Sequence, residues 1–129
     1  MARVLVIDDE EGIRTIVTKV LASAGHEVTE ARDGAAAWAM LERQAVDLVV
    51  TDLYMPEMDG IELSQRLRQL PARPAVVAMS GGGFGRQVDV LEVAAHLGAA
   101  ATLPKPFTRE ELLGAVARAL SRQPVPETR

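Results

Sequence analysis

Residues 48–60 carry the sequence Leu48-Val49-Val50-Thr51-Asp52-Leu53-Tyr54-Met55-Pro56-Glu57-Met58-Asp59-Gly60. The apolar residues at its start are typical of a buried strand, and the Pro, Asp and Gly residues near its end are typical of a loop. Asp52 therefore lies where the predicted strand ends. In an open α/β sheet, ligands bind outside the carboxyl ends of the strands, so the carboxylate of Asp52 is the first candidate for chemistry.

Four further strands are predicted along the chain. Each is a short run rich in apolar or β-branched residues, bounded by charged residues, Gly or Pro. They cover Val4–Ile7, Glu27–Ala31, Ala75–Met79 (ending on Ser80) and Ala99–Leu103. Helical patterns separate these strands. Short connections and right-handed crossovers then favour a parallel sheet with helices on both faces, which is a doubly wound α/β fold.

The predicted helices follow from apolar residues at three- and four-residue steps. The positions expected to face inward are Ile13, Ile16, Val17, Val20, Leu21 and Ala24 in the first helix and Ala36, Ala37, Met40 and Leu41 in the second. Asp33 is the candidate N-cap of the second helix, and Thr108 with Glu111 has the spacing of a capping box before the last. A third helix is predicted to end before Pro71, and a fourth to begin near Gln87 or Val88.

Composition restricts the classes of function. The chain has 129 residues, of which 48% are hydrophobic, and this is enough for one domain with its own core. A net charge of −4 argues against a nucleic-acid surface, and the lack of cysteine excludes disulfides and thiolate metal sites. No run approaches the roughly 18 apolar residues of a membrane span. We therefore expect a single soluble domain in the cytoplasm.

A parallel sheet brings the carboxyl ends of its strands to one edge. That edge would collect Asp8, Asp9, Asp52, Ser80 and Lys105. Crowded carboxylates repel one another unless a cation lies between them, and Mg²⁺ suits a site with few protein oxygens and several waters. A carboxylate nucleophile, a divalent ion, a lysine and a hydroxyl are the groups that phosphoryl transfer requires, because that reaction depends on positioning and charge neutralisation.

These residues resemble the receiver domain of bacterial two-component response regulators. That family carries an acidic pair after strand one, a phosphoaccepting Asp after strand three and then Met-Pro-x-Met-Asp-Gly. Ser or Thr follows strand four, and Lys-Pro-Phe follows strand five. The corresponding residues here are Asp8-Asp9, Asp52, Met55–Gly60, Ser80 and Lys105-Pro106-Phe107. Each motif alone is weak, but all five occur in order, and the resemblance extends over about residues 2–121.

The resemblance implies a phosphoacceptor and a metal site. Asp52 would accept a phosphoryl group from a phosphohistidine on a sensor histidine kinase or a histidine phosphotransfer protein. Asp9 and Asp52 would bind Mg²⁺ directly, together with the backbone carbonyl of Tyr54. Asp8 would contact the ion through a water molecule, and Mn²⁺ is an alternative ion. The chain would then be a signalling phosphoacceptor rather than an enzyme, with only self-directed phosphotransfer and autodephosphorylation.

The resemblance also implies a switch. Lys105 would pair with the phosphoryl group, Ser80 would hydrogen-bond to it, and a cis peptide bond is expected before Pro106. Family members usually carry Tyr or Phe three residues before the lysine, where the ring couples to the movement of the Ser or Thr, but Thr102 stands there in this chain. We therefore expect phosphorylation mainly to reorder residues 81–86 and the start of the fourth helix instead, since glycine backbones rearrange at little steric cost.

The family fold is a flavodoxin-like sandwich with a five-stranded parallel sheet in the order 2-1-3-4-5 and five helices. By this resemblance residues 1–121 form the receiver domain, and residues 122–129 form a polar tail or linker stub. The face made by the fourth helix, fifth strand and fifth helix would bind a downstream protein target, or serve a homodimer. We expect a stand-alone receiver over one with a covalently linked output domain, and no direct contact with nucleic acid or membrane.

Two other functions are compatible with parts of the pattern. A degenerate receiver would bind partners without phosphate, and Thr102 gives this alternative some weight. A Mg²⁺-dependent phosphatase with an aspartate nucleophile would also place Asp52 at a strand end. Such enzymes normally carry a second Asp two residues later as acid/base, whereas this chain has Tyr54. The intact acidic edge therefore favours the phosphoaccepting receiver.

Overall fold

A computed structural model of the chain describes residues 2–52, 60–67, 69–70, 72–80 and 99–121. Its centre is a parallel five-stranded sheet in the order β2-β1-β3-β4-β5. The strands are β1 (Arg3–Ile7), β2 (Glu27–Ala31), β3 (Leu48–Asp52), β4 (Ala75–Ser80) and β5 (Ala101–Pro104). This order confirms the predicted doubly wound sheet, with β3 at its centre.

Helices cover both faces of the sheet. In the described ranges they are α1 (Glu11–Ser23), α2 (Gly34–Arg43), α3 (Gly60–Leu67) and a C-terminal helix (Arg109–Ser121). Alternate residues of the strands point to opposite faces. Val4, Val6 and Val50 therefore pack with α1 and the C-terminal helix. Leu5, Ile7 and Val49 pack with α2 and α3 instead, so each central strand is buried on both sides.

Local signals set the ends of several helices, and the two predicted N-terminal caps are confirmed. The Asp33 side chain accepts a hydrogen bond of 2.8 Å from the Ala36 amide at the start of α2. At the start of the C-terminal helix, the Thr108 amide donates to Glu111 Oε1, and the Glu111 amide donates to Thr108 Oγ1. Gly25 follows α1 with a φ of 95°, a conformation that glycine adopts without steric cost.

Some sequence-based predictions were wrong in detail. Ile16 and Met40 are 55% and 38% exposed, although both were predicted to face the core. Each precedes a buried residue, Val17 or Leu41, and successive helical residues are about 100° apart around the axis. The apolar stripes of α1 and α2 are thus narrower than predicted, and Ala24 is exposed beyond α1. β5 begins two residues later and ends one residue later than predicted.

Three predicted segments lie outside the described residues. They are the fourth helix, the glycine-rich segment before it and the tail of residues 122–129. In the ranges that are described, no helix has both the length and the apolar content needed to cross a membrane.

Candidate functional site: an acidic cluster at the sheet edge

Two neighbouring strands deliver acidic side chains to the same edge of the sheet. β1 pairs with β3 through Ile7 and Thr51, so Asp8 and Asp52 follow directly at adjacent positions. One carboxylate oxygen from each of Asp8, Asp9 and Asp52 lies within 4.8 Å of the others. Asp8 and Asp52 are buried, whereas Asp9 is exposed. The structure therefore brings together the three acids that the sequence placed at this edge.

Lys105 enters the cluster from the end of β5. Its Nζ lies 2.8 Å from Asp8 Oδ2, 3.4 Å from Asp52 Oδ2 and 3.8 Å from Glu10 Oε1. The Lys105–Pro106 peptide bond is cis, as expected. Burial of the ammonium lowers its pKa, but the hydrogen bond to Asp8 and the charges of Asp52 and Asp8 outweigh burial, so the pKa of Lys105 is raised above 10.5. Lys105 therefore remains protonated near neutral pH and acts as a counter-ion of the acids.

Asp8 uses both carboxylate oxygens inside the protein. Oδ2 accepts the hydrogen bond from Lys105, and Oδ1 accepts one of 2.9 Å from the Glu10 amide. The side chain is fully buried. Asp8 therefore holds the cluster together, because it connects Lys105 to the loop that carries Asp9.

Arg14 contacts the same loop, and sequence reasoning did not single it out. Its Nη1 donates to the Asp8 carbonyl oxygen at 2.8 Å, and its Nε donates to Glu30 Oε1 at 3.0 Å. Helical side chains lean toward the helix N-terminus, so an arginine in the second turn of α1 can contact the residues before the helix. The available signal was this lean, together with an acidic loop four to six residues upstream.

The remaining predicted site positions lie close by or outside the described residues. Ser80 is the last residue of β4 and pairs with Pro104, so its backbone lies at the same edge. The side chain of Ser80 and the carbonyl of Tyr54 lie outside the described residues. Thr102, in β5, pairs with Ala78 of β4, and it is exposed. No aromatic ring therefore stands at that position of the strand.

The donor set fits a hard divalent cation. Three carboxylates against one ammonium leave an excess of two negative charges within a few ångströms. Mg²⁺ prefers carboxylate and carbonyl oxygens and usually keeps several waters, as an open site with one exposed acid allows. The arrangement can thus bind such an ion and offer Asp52 as a nucleophile beside a fixed positive charge.

Comparisons with known proteins agree with this geometry. The model of the response regulator receiver domain matches residues 4–117. Sporulation initiation phosphotransferase F of Bacillus subtilis is 30% identical over 118 residues, which cover 92% of this chain and 93% of that protein. The DNA-binding transcriptional regulator NtrC of Azospirillum brasilense is 34% identical over 125 residues, but the chain spans only 25% of its length.

Solved structures share the fold along nearly the whole chain. The Vibrio cholerae chemotaxis protein CheY4 is 31% identical with a TM-score of 0.81, covering 93% of this chain and 99% of that one. A response regulator receiver domain protein from Clostridium thermocellum is 29% identical with a TM-score of 0.82, covering 95% and 96%. Family model, relatives and solved structures agree. The chain belongs to the response regulator receiver domain family.

Proposed function

We propose that this receiver accepts a phosphoryl group on Asp52 from a phosphohistidine of a sensor histidine kinase or a histidine phosphotransfer protein. The observation that carries the proposal is the site itself. Three carboxylate oxygens lie within 4.8 Å of one another, and Lys105 Nζ lies 3.4 Å from Asp52 Oδ2. Receiver domains bind Mg²⁺ at an acidic pocket, and their homologues work with histidine kinases.

In the proposed reaction an Asp52 oxygen forms a bond to phosphorus as the bond from phosphorus to the histidine nitrogen breaks. The imidazole leaves and takes a proton from solvent. Asp9, Asp52 and the carbonyl of Tyr54 would hold Mg²⁺, with Mn²⁺ as an alternative and Asp8 contacting it through water. The ion, when bound, neutralises charge on the phosphoryl oxygens.

Lys105 supplies the protein's own positive charge. Its ammonium is already beside Asp52, so it can pair with a phosphoryl oxygen after a small movement away from Asp8. Phosphorylation converts a monoanion to nearly a dianion at neutral pH, which strengthens this pairing. Ser80, at the end of β4, would hydrogen-bond the same group. The chemistry is self-directed, and its product is a change in what the domain binds.

The proposed binding surface is the face that contains β5. This face would bind a downstream protein target or a covalently linked output domain, or form a homodimer. Thr102 is exposed there, so the switch would not use an aromatic ring at this position. The proposed domain is residues 1–121, with residues 122–129 as a tail or linker, and the proposed location is the cytoplasm.

Intact-mass measurement after incubation with acetyl phosphate and Mg²⁺ tests the proposal. One added phosphoryl group of about 80 Da is expected, and it should be lost with Asp52→Asn or a chelator. Asp33→Asn is a matched control, because it makes the same chemical change at a helix cap where Asn also functions. A folded protein without any adduct would refute the proposal and favour a receiver that binds partners without phosphate.

A further inference from the structure

We propose that Arg14, held by Glu30, is a positioning residue that sets the metal affinity of the site by orienting the Asp8–Asp9 peptide. This inference rests on the proposed function, because it requires Asp9 to bind a divalent ion. The pair connects the start of α1, the end of β1 and strand β2. Neither side chain is one of the predicted ligands.

Two hydrogen bonds of Arg14 hold the segment between β1 and α1, and one of them contacts the Asp8–Asp9 peptide directly. Nη1 donates to the Asp8 carbonyl at 2.8 Å, and the Arg14 amide donates to the Glu10 carbonyl at 3.0 Å. The Asp8 amide donates to the Ala31 carbonyl at 3.2 Å. Because a peptide group is planar, a fixed Asp8 carbonyl also fixes the direction of the Asp9 amide and of the chain that follows.

Glu30 holds the guanidinium in place. Its Oε1 accepts from Arg14 Nε at 3.0 Å, and the side chains are 38% and 16% exposed, respectively. Glu30 lies on β2 opposite Val6, so its backbone is fixed by the sheet. A planar guanidinium bonded at two of its nitrogens has little freedom to rotate. Through Arg14 and Glu30, the position of the Asp8 carbonyl is therefore fixed relative to the sheet.

Asp9 depends on this arrangement more than the other acids do. Asp8 is bonded by Lys105 and by the Glu10 amide, and Asp52 lies within β3. Within the described ranges, by contrast, the Asp9 carboxylate makes no hydrogen bond or ion pair, and the residue is exposed. The position of its carboxylate before ion binding is therefore set by its backbone, which Arg14 restrains from one side.

Charge and geometry predict opposite effects of removing Arg14. Loss of a nearby positive charge alone should make a cation bind more tightly. Loss of a group that orients a ligand should make the ion bind more weakly, typically by tenfold or more. The sign of the change in Mg²⁺ affinity therefore separates a positioning role from an electrostatic one.

The experiment measures Mg²⁺ dissociation constants by titration calorimetry for the full chain and three variants. Arg14→Gln should weaken binding about tenfold. Arg14→Lys keeps the charge but not the two-pronged geometry, so binding should weaken by about threefold, where charge alone predicts no change. Arg3→Gln is the matched control, because Arg3 of β1 pairs with Glu27 of β2 at the end of these strands that lies away from the acidic cluster. The Mg²⁺ affinity of this variant should stay unchanged.

The outcomes are distinguishable. Unchanged or tighter binding by Arg14→Gln, with normal binding by the wild-type chain, would overturn the inference and leave the proposed function intact. No binding by the wild-type chain would overturn both. Urea unfolding of each variant identifies a general loss of structure, and if Arg14→Gln does not fold, Arg14→Lys alone decides the matter. Weaker binding by a stably folded Arg14→Lys supports the inference, and wild-type affinity in that variant refutes it.

Discussion

Replacing Lys105 with methionine should destabilise the protein by about 3 kcal/mol in a metal-free buffer near neutral pH. The variant keeps an unbranched side chain that is one atom shorter, but it leaves the buried carboxylates of Asp8 and Asp52 without their cation. At an effective dielectric of about 20, unit charges 2.8 and 3.4 Å apart attract by roughly 6 and 5 kcal/mol. Desolvation of the ammonium, which is 12% exposed, offsets most of this, and breaking such a buried pair costs roughly 3–5 kcal/mol.

Urea unfolding followed by far-ultraviolet circular dichroism measures this loss directly. With a slope of about 2 kcal/mol per molar urea, the midpoint should fall by roughly 1.5 M. Lys19→Met is the matched control, because it removes the other lysine of the chain from an exposed position on α1. A Lys105→Met variant that unfolds at the same urea concentration as Lys19→Met would refute the energetic role assigned to the ion pairs.

The pH dependence of stability provides an independent test of the same ion pairs. The pKa of Lys105 is raised above 10.5 in the folded state, because the Asp8 hydrogen bond and the acidic charges outweigh its burial. Its stabilisation is therefore fully present below the unfolded pKa of 10.5 and is lost as the pH rises through the folded value. The stability difference between wild type and Lys105→Met should stay constant up to about pH 10 and shrink above it. A difference that already shrinks at neutral pH would contradict the assignment.

Two further outcomes are expected. Mg²⁺ at 100 times its dissociation constant should raise the free energy of unfolding by about 2.7 kcal/mol. Asp9→Asn should abolish most of this gain in a thermal melt, and an undiminished gain in that variant would show that the ion binds elsewhere. Leu112→Ala should lower the free energy of unfolding by about 3 kcal/mol because Leu112 is fully buried, whereas Ile16→Ala should change it by less than about 0.5 kcal/mol because Ile16 is 55% exposed. Equal losses for the two variants in urea unfolding would contradict the described helix faces.

The sheet was predictable because its strands carry a strong and local signal. Runs such as Leu48–Val50 are buried on both faces of a parallel sheet, so they are apolar without alternation. The helix faces were less predictable, because periodicity gives the direction of an apolar stripe but not its width. Ile16 and Met40 continue the pattern of their helices, yet the facing sheet reaches only as far as Val17 and Leu41. Stripe width depends on neighbours that are distant in the sequence.

The acidic cluster was predictable because topology alone brings strand ends together. Once the sheet is parallel, Asp8 and Asp52 must meet at one edge, whatever their side chains do. The pairing of Lys105 was not predictable in this way, since its Nζ lies closer to Asp8 than to Asp52. That preference depends on side-chain geometry at the end of β5, and no spacing rule contains it. The contact of Arg14 with the Asp8 carbonyl was missed for the same reason.

The preference of Lys105 for Asp8 suggests how the three acids of the site differ in their availability to a ligand. Asp8 is fully buried and already accepts two hydrogen bonds, so it is the acid least available to a new ligand. Asp9 is exposed, and Asp52 shares the lysine at a longer distance, so both are better placed to contact an incoming ion or phosphoryl group. Phosphorylation of Asp52 would then draw Lys105 away from Asp8, because a dianion attracts the ammonium more strongly than a monoanion does. A shift of one ammonium between two acids would convert the chemical event at Asp52 into a change at the β1 end and in the loop that Arg14 holds.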